Sequence, residues 1–377
     1  MTTRIFVLSA LWLLSFTSDG WCQSEASIRL GSFQIDATIP TGHRCMGVLP
    51  QKSKSISDSL ELHGFVLLGH ERPIVIVAID WCEIRNRSYD LWRERLAKAV
   101  GTDPSRVLVS CLHQHDAPVI DHGAQELLDS VELSGELFDN AFHESVLKRA
   151  EEAARDALQS SVAITRFGYS EVDVREVASN RRVVDSSGKV TFARGSSSGR
   201  DLFYQQAPAG EIDAKMRTIS FWNGEHCVLE YHAYATHPMS FYGRGEVSSD
   251  FVGLARKRRQ REDRATHYIY ASGCSGDVTA GKYNDGSLSA RESLTQKIYE
   301  AMVESRKQVK WTDAKVCSLN SVPLMLEYSR DGALQKDSLT KELQDTTGTV
   351  EKRILAAMGL ASWDRAVEKK IPIDMAC

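Results

Sequence analysis

Between Pro73 and Cys111 the chain reads as strand, helix and strand, an order that leaves few folds open. "PIVIVAIDW" from Pro73 is a short apolar run rich in β-branched residues, which reads as a buried strand. In "YDLWRERLAKAVG" that follows, Tyr89, Trp92, Leu96 and Val100 recur at helical spacing, and Gly101 is placed to end the helix. After "TDPS" comes "VLVSC" from Val107, a second buried strand. Strand, helix, strand of this length is a right-handed parallel crossover. The fold class expected is therefore α/β, mixed β-sheets with flanking helices, and its site belongs at the carboxyl ends of strands.

The second strand runs straight into "LHQHDAPV". If the strand persists, alternation puts His113 and His115 on one face with Cα atoms roughly 7 Å apart. That spacing suits two ligands of one metal, or one ligand with a histidine working beside it. An isolated H-x-H also suits one packed and one solvated histidine, so the rest of the chain has to decide.

Downstream, a helix is expected at about 142 to 158, with Val146, Ala150, Ala153 and Ala157 on one stripe. "RRVVDSSGKVTFAR" reads as a hairpin turning at Ser187 and Gly188. "MRTISFW" and "CVLEYHAYA" flank Asn223-Gly224 as a second hairpin. The latter strand ends in "ATHPMSFYG", which leaves His237 where strand gives way to loop. "THYIYASGCSGDVTAG" repeats the arrangement: a strand from His267 to Ala271, then a glycine-rich turn. The next helix is expected to open with Ser289 and Glu292 as a capping box. The final "IPIDMAC" begins to read as another strand, which points to a chain incomplete at its C-terminus.

Composition narrows the function classes. The 377 residues are 42% hydrophobic and 25% charged, an ordinary globular balance. A formal net charge of -4 gives no global basic field, so a nucleic-acid partner is not expected. The one dense basic run, "RKRRQREDR" from Arg256, reads as a solvated helix face. Arg4 before an apolar run from Ile5 to Phe16, then small and polar residues, makes residues 1–23 a secretory signal. Residues 24–377 are then expected to be one exported domain. The eight cysteines show no paired spacing and so no disulfide framework or zinc knuckle.

Ser275 in "SGCSGD" is not a nucleophile elbow, because Gly-x-Ser-x-Gly fails by one glycine. A turn presenting backbone N–H groups to a site is the better reading. The metal reading gains from His237, since two strand-end histidines can converge at one sheet edge. A catalytic zinc takes three protein ligands and an open position. His113 and His237 supply two. Asp116, Asp250 and Asp277 are nearby carboxylates, each also explained by capping or turn formation.

"GSFQIDATIP", "VAIDWCEI", "CLHQHDAP", "ASNRR", "ATHPMSFYG", "SSDFVGLAR" and "GCSGDVTAG" together carry a resemblance over about residues 28 to 310. In order and spacing they resemble the catalytic domain of the neutral/alkaline, non-lysosomal ceramidase family, in the form of exported planctomycete-type bacterial proteins. The resemblance implies that His113 and His237 bind zinc, that His115 assists catalysis, and that Arg181 contacts the reacting amide. Asp250 and Asp277 are then groups that orient histidines or loops. The family's remaining zinc ligands, a glutamate and a tyrosine, are implied beyond Cys377, and Asp116 and Ala117 stand where the family has small residues.

The activity implied is metal-assisted hydrolysis of a small-molecule or lipid N-acyl amide, with peripheral contact to membrane lipid as an accompanying expectation. His115 is expected to titrate near its ordinary range and to shuttle the proton. Two alternatives stay open at this point: an esterase or deacylase on the same site, and a secreted metal- or ligand-binding protein without turnover.

Overall fold

The crossover forms where its periodicity places it. The strands Ile74–Ile79 and Val107–Cys111 pair in parallel from Val75↔Val107 to Ile79↔Cys111, with the helix Asn86–Val100 between them. Gly101 ends that helix at φ 73°, in the left-handed region, and its N–H donates to the Ala97 carbonyl. The computed structural model describes residues 28–45, 51–69, 71–241, 243–313, 319 and 321–376. The expected export signal at residues 1–23 lies outside the described residues.

The first sheet contains β1 (Arg29–Asp36), β2 (Glu61–Leu68), β3 (Ile74–Ile79), β4 (Val107–Cys111) and β5 (Val162–Ala163), in the order β5-β1-β2-β3-β4. Only β3 and β4 run parallel in it, so the sheet is mixed. The helices α1 (Asn86–Val100), α2 (His122–Asp129) and α3 (Asn140–Gln159) belong to its outer side. There Val66, Val75, Val77 and Ile79 pack with Trp92, Leu96, Val146 and Ala150 in one buried cluster. Contact between β1 and α3 is so close that a Cβ built on Gly31 falls 1.7 Å from the Ala157 carbonyl oxygen.

The second sheet contains β6 (Arg166–Asp173), β7 (Lys215–Asn223), β8 (His226–Tyr234), β9 (His267–Ser272) and β10 (Lys310–Asp313), in the order β9-β8-β7-β6-β10. The Asn223-Gly224 turn forms as expected, with Gly224 at φ 57° joining β7 to β8. β8 and β9 run parallel from Leu229↔His267 to Tyr234↔Ser272. A second buried cluster joins the two sheets, Phe65, Leu67 and Ile74 from one meeting Phe221, Leu229 and Ile269 from the other. Across it the rings of Phe65 and Phe221 lie 5.4 Å apart. The same cluster extends to α4 (Asp250–Glu262) and α5 (Leu288–Lys307) through Phe251, Leu294, Ile298 and Met302.

Two local expectations are corrected. The helix α5 is capped by Ser287, whose side chain accepts from the Ala290 N–H, so Ser289 lies inside the first turn rather than starting it. The basic run on α4 is not a solvated face. Arg256 is 2% exposed and its guanidinium donates to both Asp80 oxygens, at 2.8 and 2.9 Å, and to Glu61 at 2.7 Å. The strand read in the closing segment does form: Ile373–Ala376 pairs antiparallel with Ser321–Leu324. No described helix is long and apolar enough to cross a membrane.

Candidate functional site

Two parallel strand pairs, β3 with β4 and β8 with β9, deliver four carboxyl ends to one edge of the molecule. The two sheets are tied there by the Ser272 hydroxyl, which donates to the Leu112 carbonyl at 2.8 Å. After β3 the buried Trp81 locks the turn, its indole N–H donating to the Ala37 carbonyl at 2.9 Å. That turn presents Cys82 and Glu83 beside the end of β4.

The strand β4 does not persist into the H-x-H motif as alternation requires. It stops at Cys111, and His113 takes φ 62°, a left-handed conformation that non-glycine residues seldom adopt. The turn nevertheless brings the two imidazoles together: Nε2 of His113 and Nε2 of His115 lie 3.3 Å apart. Two nitrogens bound at about 2.05 Å to one tetrahedral ion lie about 3.3 Å from each other, so this spacing fits a shared metal.

His237 joins them from the other sheet. Its ring centroid is 4.9 Å from that of His113 and 5.7 Å from that of His115. Its Nδ1–H donates to the carbonyls of Ser275, at 2.6 Å, and Val278, at 3.1 Å, which leaves Nε2 with its lone pair. His113 is held alike, with Nδ1 3.3 Å from the Cys82 carbonyl and 3.6 Å from a Glu83 carboxylate oxygen. A hydrogen bond on one ring nitrogen that frees the other is the usual arrangement of a metal-ligating histidine. The glycine-rich turn thus offers His237 two carbonyls.

Electrostatics corrects another expectation. His115 does not titrate near its ordinary value: burial first, then the His113, His237 and Arg181 charges, push it down to about 3. His237 is lowered to about 4 by burial, Arg181 and His113. Both rings are therefore neutral at physiological pH, the form that ligates metal. The Arg181 charge bears on both histidines, and its backbone N–H donates to the Asp277 carbonyl at 2.8 Å.

The carboxylates sit farther back. Asp277 pairs through its side chain with Arg182. Asp250 is buried at φ 54° and accepts from the Ser240 N–H at 2.8 Å and the Ser240 hydroxyl at 2.5 Å, holding the loop that follows His237. Asp116 is buried, and burial together with the Asp250 and Glu246 charges raises its carboxyl to about 7. Sequence reasoning missed Cys82 and Glu83. Donor atoms of Cys82, His113 and His115 all lie within 4.8 Å of one another. The signal that could have found these residues is positional, since β3 and β4 are parallel neighbours and their carboxyl ends must share an edge.

No family model matches the chain, and no curated protein matches it. Among solved structures, the neutral ceramidase of Pseudomonas aeruginosa superposes with a TM-score of 0.59 at 15% identity, over 81% of this chain and 48% of that one. A structure described as ceramidase complexed with C2 gives 0.57 at 15% identity, over 78% and 46%. The fold is ceramidase-like. At the level of fold, the ceramidase resemblance drawn from the motifs is met. The chain spans less than half the length of either ceramidase structure.

Proposed function

We propose that the chain is a zinc-dependent hydrolase that cleaves an N-acyl amide bond, of the ceramidase kind, at the histidine cluster. The observation that supports this most is the convergence of His113, His115 and His237 at one strand edge of a ceramidase-like fold. His113 and His237 would hold the ion through Nε2, each ring being oriented by carbonyls at Nδ1. Zinc bound there supplies Lewis acidity, polarising the amide carbonyl and lowering the pKa of water from about 15.7 toward about 7.

The neutral His115 ring takes the proton of the attacking water at Nε2. The same nitrogen, 3.3 Å from Nε2 of His113, is placed to return that proton to the departing amine nitrogen. Arg181 stays charged at every working pH and stabilises the oxygen as it gains charge. Asp250 acts through Ser240 on the loop beside His237, and Asp277 acts through Arg182 beside Arg181. With residues 1–23 as an export signal, the substrate, a lipid or small-molecule amide, is met outside the cytoplasm.

The test is product identification with matched substrates, an N-acyl amide and an ester carrying the same acyl chain. Release of free amine and carboxylic acid from the amide, stopped by a chelator, is expected. Cleavage of the ester alone would make the protein a deacylase, and retention of both substrates intact would make it a binding protein.

A further inference from the structure

The hairpin that leaves Arg181 returns to it. Its strands, Arg182–Val184 and Val190–Phe192, pair from Arg182↔Phe192 to Val184↔Val190. At its mouth the N–H groups of Ala193 and Arg194 both donate to the Arg181 carbonyl, at 3.2 and 3.1 Å. The side chain of Arg194 is 1% exposed. Among the described residues its guanidinium donates to carbonyls alone: Asn180 at 2.9 Å, Pro208 at 3.0 Å, Tyr204 at 3.2 Å, Ala207 at 3.3 Å and Ala209 at 3.5 Å. A buried charge requires hydrogen-bond partners of this kind, and the planar fork of an arginine can serve several oxygens at once.

We propose that Arg194 is a positioning residue for Arg181, fixing the backbone that carries the Arg181 guanidinium by holding the Asn180 carbonyl with its side chain and the Arg181 carbonyl with its N–H. The inference rests on the hydrolase reading above, in which Arg181 stabilises the oxygen that gains charge, and deepens it by naming what aims that charge. The same short ladder carries His237. Ser179 pairs with Thr279 and Asn180 with Val278, and Thr279 bridges in turn to His237. Arg181 and His237 thus stand on one frame, and Arg194 holds the strand of it that leads into Arg181.

A staple for the loop at 204–209 is the rival account of this arginine, and two features weigh against it. That loop already has a second clamp, since the Lys282 ammonium donates to the Gln205 carbonyl and, at 2.6 Å, to the Ala207 carbonyl. The shortest of the guanidinium bonds goes instead to Asn180, the residue before Arg181. The chain beside Arg194 also has no room to shift: a Cβ built on Gly281 falls 1.9 Å from the Gly195 carbonyl oxygen. Such close packing keeps the hairpin mouth, and with it the Arg181 backbone, in one place.

The test is a double-mutant cycle on the full chain with zinc, following N-acyl amide hydrolysis in single turnover, with zinc per chain measured beside the rate. Arg194→Met keeps the stem and the backbone N–H but removes every side-chain donor. It should hold as much zinc as the wild type and lose about 10- to 100-fold in rate, the scale of an ångström of misplacement. Arg194→Lys, which restores the charge and part of the donor set, should recover some of that loss. In an Arg181→Ala background, which keeps His113, His115 and His237, Arg194→Met should change the rate by less than about 2-fold, because the group it aims is gone. A loss by the same factor in both backgrounds, or zinc lost along with rate, would mean that Arg194 supports the fold and nothing more. A rate equal to wild type in Arg194→Met would mean that it aims nothing. Each of these results overturns the inference while leaving the hydrolase reading intact. If Arg194→Met fails to fold, Arg194→Lys takes its place in the cycle and the same outcomes decide. A wild type that leaves the amide whole would overturn the hydrolase reading and this inference with it.

Discussion

His113 occupies its place through a left-handed backbone turn that brings its ring beside that of His115. With its Nδ1 held by the Cys82 carbonyl, His113 turns Nε2 to within 3.3 Å of Nε2 of His115, and in the proposed reading His113 binds the ion while His115 works beside it. His113→Ala should therefore lose bound zinc and activity together. His115→Ala should keep most of the metal while turnover drops by about 10²- to 10⁴-fold, the usual worth of general acid–base assistance. Metal content measured beside turnover checks this, and equal zinc loss in the two variants would show the roles are misassigned. The histidines were legible in the sequence because each ends a strand whose apolar pattern is local. Cys82 and Glu83 were not, because a lone cysteine and a lone glutamate after a strand carry no spacing signal. The low pKa of His115 was hidden for a different reason: it depends first on burial, then on charges that include His237 and Arg181, which only the folded chain supplies.

At the scale of elements, α1 and α3 lock through Trp92, whose indole N–H donates to Nε2 of the fully buried His143 at 2.9 Å. Burial, then the His122 and Arg95 charges, lowers His143 from 6.5 to about 3. As pH falls the unfolded chain takes up that proton first. The stability this neutral ring contributes is thus complete above about pH 6.5 and drains away toward about pH 3, at no more than about 1.4 kcal/mol per pH unit. His143→Gln, which retains an acceptor for Trp92, should flatten the acid limb of a urea-unfolding pH series by that slope; an unchanged limb would contradict it. The β1–α3 contact makes a second prediction. Gly31→Ala should destabilise by about 3 kcal/mol or more, since the new methyl meets a helix carbonyl that cannot yield. A denaturation midpoint close to wild type would refute it. Helix periodicity and the Asn-Gly turn were readable from local residues. The order β5-β1-β2-β3-β4 was not, because pairing Arg29 with Ala163 depends on contacts far apart in sequence.

Across the whole molecule, Arg256 of α4 ties Glu61 of β2 to Asp80 at the foot of the turn that carries Cys82. A basic run on an amphipathic helix ordinarily reads as solvent-facing, and nothing local announces that one of its arginines meets two carboxylates nearly two hundred residues upstream. Arg256→Ala leaves the fully buried Asp80 without its counter-charge, and should cost about 3–5 kcal/mol in unfolding free energy. A change under about 1 kcal/mol would mean the network is solvated in solution. The α/β class was legible because one crossover dictates it, and the strand-edge site follows from that class. That the first sheet is mainly antiparallel, and that the two sheets meet face to face through Phe65 and Phe221, came only with the fold. The central claim, a metal-dependent amide hydrolase at the edge the two sheets share, is tested most directly by stripping metal with a chelator and returning zinc stepwise while following N-acyl amide hydrolysis. The account predicts no hydrolysis in the stripped protein and a rate that climbs to its plateau at one zinc per chain. Hydrolysis that survives stripping, or that zinc fails to restore, would contradict it.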